Sequence, residues 1–167
     1  KQARNGEPVP SKAIQITGGE PTVREDLFDI IDLAHEHGFS HVQLNTNSIK
    51  LAESKEYCKK IVDHGVNTIY MSFDGTSKEN NPWIEQNKQA IENLREVGFQ
   101  SVVLVPVATK DNMDDIANVI EFAKKNIFGK QGKLLSKRSS CPQLFYYWFH
   151  VCGCFPENTI NSLHFSN

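Results

Sequence analysis

Residues 35–47 read HEHGFSHVQLNTN. A polar, helix-like end runs into Gly38, then one apolar residue, two polar residues and a short β-rich run that stops in Asn45-Thr46-Asn47. The same joint returns as VDHGVNTIYMSFD at 62–74 and as REVGFQSVVLVPV at 95–107. Gly38, Gly65 and Gly98 each follow an amphipathic stretch. That is the C′ position of a helix, where glycine takes the left-handed conformation at little cost. The joint therefore predicts helix, turn and strand, repeated along the chain.

Working outward, the stretches before the glycines carry helical period. In REDLFDIIDLAHEH (24–37), Leu27, Ile30, Ile31 and Ala34 share a face, with Glu25 and Asp26 near the start where the helix dipole favours acids. In SKEYCKKIVDH (54–64) the stripe is Tyr57, Cys58, Ile61 and Val62. In NPWIEQNKQAIENLREV (81–97) it is Trp83, Ile84, Ala90, Ile91 and Leu94. Residues 112–126 repeat it through Met113, Ile116, Val119, Ile120 and Ala123. The strands are AIQIT, HVQLNT, NTIYMSF and SVVLVPV. Four strands alternating with four helices predict an α/β fold with a parallel sheet and right-handed crossovers. An open doubly wound sheet and an arc of a (β/α) TIM-like barrel both qualify, and both bind ligands at the carboxyl ends of their strands.

The bulk composition narrows the function classes. At 167 residues, 39% hydrophobic and 23% charged, the chain can form a packed core. A net charge of −2 makes no electrostatic case for nucleic acid. No run reaches the roughly 18 apolar residues of a membrane span, and KQARNGEPVPSK at the amino end has no signal-peptide core. A cytoplasmic location is the expectation. Three of the four cysteines (Cys58, Cys141, Cys152 and Cys154) crowd the last 30 residues, unlike a secreted disulfide framework.

The strand ends carry the chemistry. The first ends in Gly18, Gly19, Glu20 and Pro21, the second in Asn45, Thr46 and Asn47, and the third in Ser72, Phe73, Asp74 and Gly75. The fourth ends in Pro106, Val107, Ala108 and Thr109. The glycines expose backbone and admit close approach, and Pro21 fixes the backbone after Glu20. Thr46, Asn47 and Ser72 offer neutral donors and acceptors. Such groups suit a polar zwitterion with an amine, a carboxylate and a ribose. No phosphate-binding GxGxxG or GxxxxGK[ST] motif occurs. Each feature alone also fits an ordinary turn; three polar strand ends on one repeat favour a site.

ITGGEPTVREDLFDII (16–31), QLNTNS (43–48) and IYMSFDG (69–75) resemble, in order, three strand-end motifs of radical S-adenosylmethionine enzymes. The likeness covers residues 13–128 and is closest in flavour to archaeal tetraether lipid synthase and related radical methyltransferases. Molybdenum cofactor biosynthesis enzymes and peptide-modifying maturases share the motifs. The resemblance implies a partial (β/α)6 barrel. It also implies two cofactors, S-adenosylmethionine and a [4Fe-4S] cluster, and a reductase or ferredoxin-type electron donor. Reductive cleavage of the sulfonium then gives a 5′-deoxyadenosyl radical. Carried over by position, Gly18, Gly19, Glu20 and Pro21 hold the methionine end, with Glu20 as counter-charge to its amine. Thr46 and Ser72 contact the carboxylate or ribose, with Asn47 beside them, and Asp74 supports the ribose side or shapes the loop. Ser48 stands where the family has glycine, so a backbone that is not left-handed is expected there.

Two features depart from the family. The cluster's CxxxCxxC motif belongs upstream of GGEP, and no cysteine precedes Cys58. Cys58 reads as a small core residue, so no metal ligand is assigned. Residues 1–12 read as a linker or truncated end and 13–128 as a partial core. Residues 129–167 read as an atypical tail of low order, holding Glu157 as its one acid and 7 of the 16 aromatics. The spacing of His150, Cys152 and Cys154 is a poor zinc match. The expectation is a fragment of a radical enzyme, inactive alone and without an assigned catalytic residue. The alternatives are a non-catalytic β/α binding module or decayed relic that keeps the cofactor rim, and a barrel isomerase or aldolase. The last wants a rim base, whereas His35, His37, His41 and His64 fall on the opposite rim and read as solvated.

Overall fold

The computed structural model describes residues 11–127. Four strands form one parallel sheet in sequential order: β1 (Ala13–Ile16), β2 (His41–Thr46), β3 (Val66–Ser72) and β4 (Val102–Val105). Between them run α1 (Leu27–Glu36), α2 (Ile49–Glu53), α3 (Lys55–Asp63) and α4 (Ile84–Glu96), and α5 (Ile116–Asn126) follows β4. This is the expected α/β alternation, the arc of a partial TIM-like barrel. The short α2 is an addition that the periodicity did not show. Gly38, Gly65 and Gly98 sit at φ 83°, 82° and 81°, as the repeat required.

Sequential parallel strands joined by right-handed crossovers carry all their helices on one side. Burial follows that rule. Val42, Leu44, Ile69, Met71 and Phe73 are fully buried against Leu27, Ile31, Leu51, Cys58, Ile61 and Leu94 of the helices. Phe73 stacks on Phe122 of α5 at 4.8 Å between ring centres. Two expected core residues lie outside: Trp83 and Met113 are 51% and 39% exposed. Trp83 is the N-cap of α4 and precedes its first turn, so the inner stripe runs instead through Ile84, Asn87, Ile91 and Leu94.

The alternate strand residues face the other way. Asn45 Nδ2 donates to Thr17 Oγ1 at 3.1 Å. The Thr68 hydroxyl lies 3.3 Å from His41 Nε2 and 3.1 Å from Ser101 Oγ. These contacts fix a second, polar face. Between β2 and β3 the register shifts at Val42/Gln43, and Asn67 Oδ1 fills the gap by accepting from Val42 N at 2.7 Å. Among the described residues no helix is long and apolar enough to cross a membrane. Residues 1–10 and 128–167, including Cys141, His150, Cys152 and Cys154, lie outside those described.

Candidate functional site

The carboxyl ends of the strands meet on one rim, and the first of them opens with two glycines. Gly18 and Gly19 have φ 101° and 50°. A side chain at either would meet nothing within 4 Å, so open space lies before the backbone there. The glycines are therefore required by conformation and not by crowding from the chain. Pro21, buried, starts a 3-10 turn over Pro21–Val23 that redirects the chain towards α1.

Glu20 stands between these features, and its carboxylate is engaged by the chain itself. Oε1 accepts from Thr22 N at 3.0 Å, Thr22 Oγ1 at 2.6 Å and Thr46 Oγ1 at 2.7 Å. Oε2 accepts from Asn47 N at 2.6 Å. The side chain ties the end of β1 to the end of β2. Thr46, only 3% exposed, also accepts from Ser48 N at 3.0 Å, so its hydroxyl faces inward and serves the clasp. Asn47 Oδ1 accepts from Ile49 N at 3.0 Å and starts α2. Nearby, Tyr57 Oη donates to Thr22 O at 3.1 Å. Burial, reinforced by the charge of Glu20, pushes the Tyr57 phenol up to about 12, so it stays a donor.

Ser48 departs from the expectation. Its φ is 65°, left-handed, where a non-left-handed backbone was expected. The physical reason is a compensating contact. Ser48 is fully buried, and its Oγ accepts from Asn87 Nδ2 at 2.7 Å. The same amide reaches Ser72 O at 3.3 Å, while Asn87 Oδ1 accepts from Asn81 Nδ2 at 2.8 Å. Asn87, from the inner face of α4, thus joins the ends of β2 and β3.

The third joint is built from Asp74. Its Oδ1 accepts from Val107 N at 2.9 Å, past the end of β4, and its carbonyl accepts from Asn112 Nδ2 at 2.8 Å. Ser72 is exposed on the open side, and its hydroxyl has no partner among the described residues. Beyond Asp74, Asp115 accepts from Thr76 N and Oγ1, each at 2.6 Å, from Asn118 at 2.9 Å and from Asn80 at 3.2 Å. Burial alone would push its carboxyl up; the hydrogen bonds from Thr76, Asn118 and Asn80 together outweigh it and hold the group well below the usual carboxylate range. Gly75 must be glycine here, because a Cβ would lie 2.6 Å from Asp115 Oδ2 and 2.4 Å from Asn80 Cβ.

Of the expected site residues, the structure brings Gly18, Gly19, Glu20, Pro21, Asn47, Ser72 and Asp74 to one rim and turns Thr46 inward. Sequence reasoning named Asn45 at a strand end without giving it a role, and missed Thr17, Asn87 and Asp115. A polar residue within an apolar stripe was the available signal for Asn87. The four histidines do lie at helix ends and strand starts, but they are not simply solvated. His35 sits 3.0 Å from Phe39 O and 3.2 Å from Gly65 O, and His64 pairs with Asp32 at 2.8 Å. His41 contacts Thr68, and His37 Nδ1 lies 2.9 Å from Leu33 O.

The fit to the two expected cofactors differs. The bare, open backbone at Gly18 and Gly19 fits the methionine end of S-adenosylmethionine. For an iron–sulfur cluster, no group of three His, Cys, Asp or Glu that could hold a metal ion occurs among the described residues. Cys58 is fully buried, its Sγ donates to Leu51 O, and burial pushes its thiol up to about 11. That is core packing, not a thiolate ligand.

A model of the Radical SAM superfamily matches residues 1–123. The 7,8-dihydro-6-hydroxymethylpterin dimethyltransferase of Methanocaldococcus jannaschii is 43% identical over 127 residues, covering 71% of this chain and 24% of that protein. A probable GTP 3′,8-cyclase of Metallosphaera sedula is 31% identical over 120 residues, covering 68% and 37%. The mycofactocin maturase MftC of Mycolicibacterium smegmatis is 29% identical over 109 residues, covering 62% and 27%. The chain thus spans from 24% to 37% of the length of these relatives.

Proposed function

The chain belongs to the radical SAM superfamily, and on that premise we propose that its rim holds S-adenosylmethionine at the carboxyl ends of β1 to β4. The observation that carries this is the pair Gly18 and Gly19, both at positive φ with open space before them. Backbone groups of residues 18–21 hold the methionine end. Asn47, Ser72 and Asp74 border the ribose side. Glu20 and Thr46 act indirectly, by fixing the loop that presents that backbone. When bound and reduced in an enzyme of this family, S-adenosylmethionine supplies a 5′-deoxyadenosyl radical. No group of His, Cys, Asp or Glu that could hold a metal ion occurs among the described residues, so residues 11–127 contribute the part of this reading that binds S-adenosylmethionine. The electron donor belongs to the same proposal. The relatives' names carry substrates of opposite electrostatic character, an uncharged pterin and the polyanion GTP, and a substrate of either kind would lie over the sheet beside the cofactor.

Equilibrium dialysis of S-adenosylmethionine against the whole protein tests the rim, with Gly18→Ala and Gly98→Ala compared. Gly98 has φ 81° and likewise nothing within 4 Å, but lies on the opposite rim. Both substitutions strain the backbone alike. Only Gly18→Ala should weaken binding, by about tenfold or more for a lost close approach. Equal binding by both variants would refute the assignment.

A further inference from the structure

From the open face of the sheet we infer that the substrate region beside the cofactor takes an uncharged, planar nitrogen heterocycle, stacked on Tyr70 and read by side-chain amides. The inference rests on the rim reading above and deepens it. Parallel sheets ordinarily bury both faces and carry apolar residues on both. Here one face is packed against helices, and the other is polar. No Asp, Glu, Lys or Arg occurs in any of the four strands, AIQI, HVQLNT, VNTIYMS and VVLV.

The register sets what a ligand meets. Gln15 pairs with Gln43, and Asn45 pairs with Tyr70, which pairs in turn with Val103. Tyr70 alternates with the fully buried Ile69 and Met71, so it belongs to the open face and is half-buried there. It lies in the row just below Ser72, within the curve of the rim. An aromatic ring flanked by one aliphatic and one amide neighbour is a stacking platform. Gln15, Gln43 and Asn45 each carry both donor and acceptor, matching the alternating ring nitrogens, carbonyl and amine of a heterocycle edge. A triphosphate over this face would meet no cation from these strands, and an anion without a charged partner loses its solvation uncompensated. Charge complementarity therefore favours the neutral ring over the nucleotide.

The test measures binding to the whole protein, with 6-hydroxymethylpterin followed by its own fluorescence and GTP by equilibrium dialysis, each with S-adenosylmethionine present. The expected result is that the pterin binds at least tenfold more tightly than GTP. Tyr70→Leu should weaken the pterin about tenfold, the scale of one aromatic contact, while Tyr70→Phe restores it and both variants keep S-adenosylmethionine binding. GTP binding as tightly as the pterin overturns the inference, and so does an unchanged pterin affinity in Tyr70→Leu. Binding of S-adenosylmethionine with neither heterocycle overturns it while leaving the rim reading intact. Binding of the pterin without S-adenosylmethionine supports it and removes the rim reading instead.

Discussion

Removing the Glu20 carboxylate should unfasten the first two strand ends. In Glu20→Ala, four donors lose their acceptor: Thr22 N, Thr22 Oγ1, Thr46 Oγ1 and Asn47 N. Thr22 and Thr46 are 0% and 3% exposed, so water cannot freely replace it. A hydrogen bond to a charged group contributes about 1.5–3 kcal/mol. Four such terms overcount, since two come from Thr22 and Glu20 itself is only half-buried; a loss of about 4 kcal/mol is the working figure. Glu20→Gln keeps one acceptor oxygen for the three donors at Oε1 but turns an NH2 towards Asn47 N, at a cost of about 2 kcal/mol. Urea unfolding at constant m reads both, and with m near 2 kcal/mol/M the alanine variant should lose about 2 M of midpoint. A loss under about 1 kcal/mol in Glu20→Ala would refute the clasp. So would a Glu20→Gln variant of full stability that fails to bind S-adenosylmethionine, because that pattern belongs to a counter-charge facing the amine.

Two further outcomes follow from the same hydrogen-bond geometry. Asp115 has its carboxyl pKa lowered in the fold, so its contribution is fully present above the unfolded value of about 3.9 and is lost as pH falls below it towards the folded value. Wild type should therefore lose stability below about pH 4 more steeply than Asp115→Asn, in urea midpoints taken from pH 7 to pH 2.5; parallel profiles would remove Asp115 from that role. At Ser48, glycine relieves the left-handed strain of about 1 kcal/mol while losing one hydrogen bond of similar size, whereas alanine keeps the strain and loses the bond. Ser48→Gly should match wild type within about 1 kcal/mol, and Ser48→Ala should be less stable by about 1–2 kcal/mol in the same assay.

The fold was legible because its signals are local. A helix stripe and a C′ glycine are read within one turn of chain, and three copies of the joint left little freedom in topology. The rim was legible as a place, since parallel strands gather their carboxyl ends. The division of labour on the rim was not. Beyond the neighbouring Thr22, Glu20 finds partners 26 and 27 residues away, and Asp115 reaches Thr76 across 39. Such pairings depend on the register between strands, which residue types alone do not specify. Thr46 shows the limit at single-residue scale. One step along β2 exchanges the open face for the core face, so Asn45, not Thr46, fronts the open side.

The same geometry bears on the proposed binding of S-adenosylmethionine to a rim that carries acids. Each joint between neighbouring strand ends is closed by a buried or half-buried polar side chain: Glu20 between β1 and β2, Asn87 between β2 and β3, Asp74 with Asn112 between β3 and β4. Among the described residues no buried side-chain polar atom lacks a partner. The rim's shape is thus held by its own hydrogen bonds before any ligand arrives, and a ligand that meets a preformed loop loses less free energy to ordering it. With Glu20 and Asp74 each accepting hydrogen bonds from the neighbouring strand ends, the open side between them also presents the glycine backbone, the Ser72 hydroxyl, and the amides and phenol of the open face. On the reading proposed above, the acids of the rim build its walls, and recognition is left to backbone, amide and aromatic groups, whose directional hydrogen bonds set orientation.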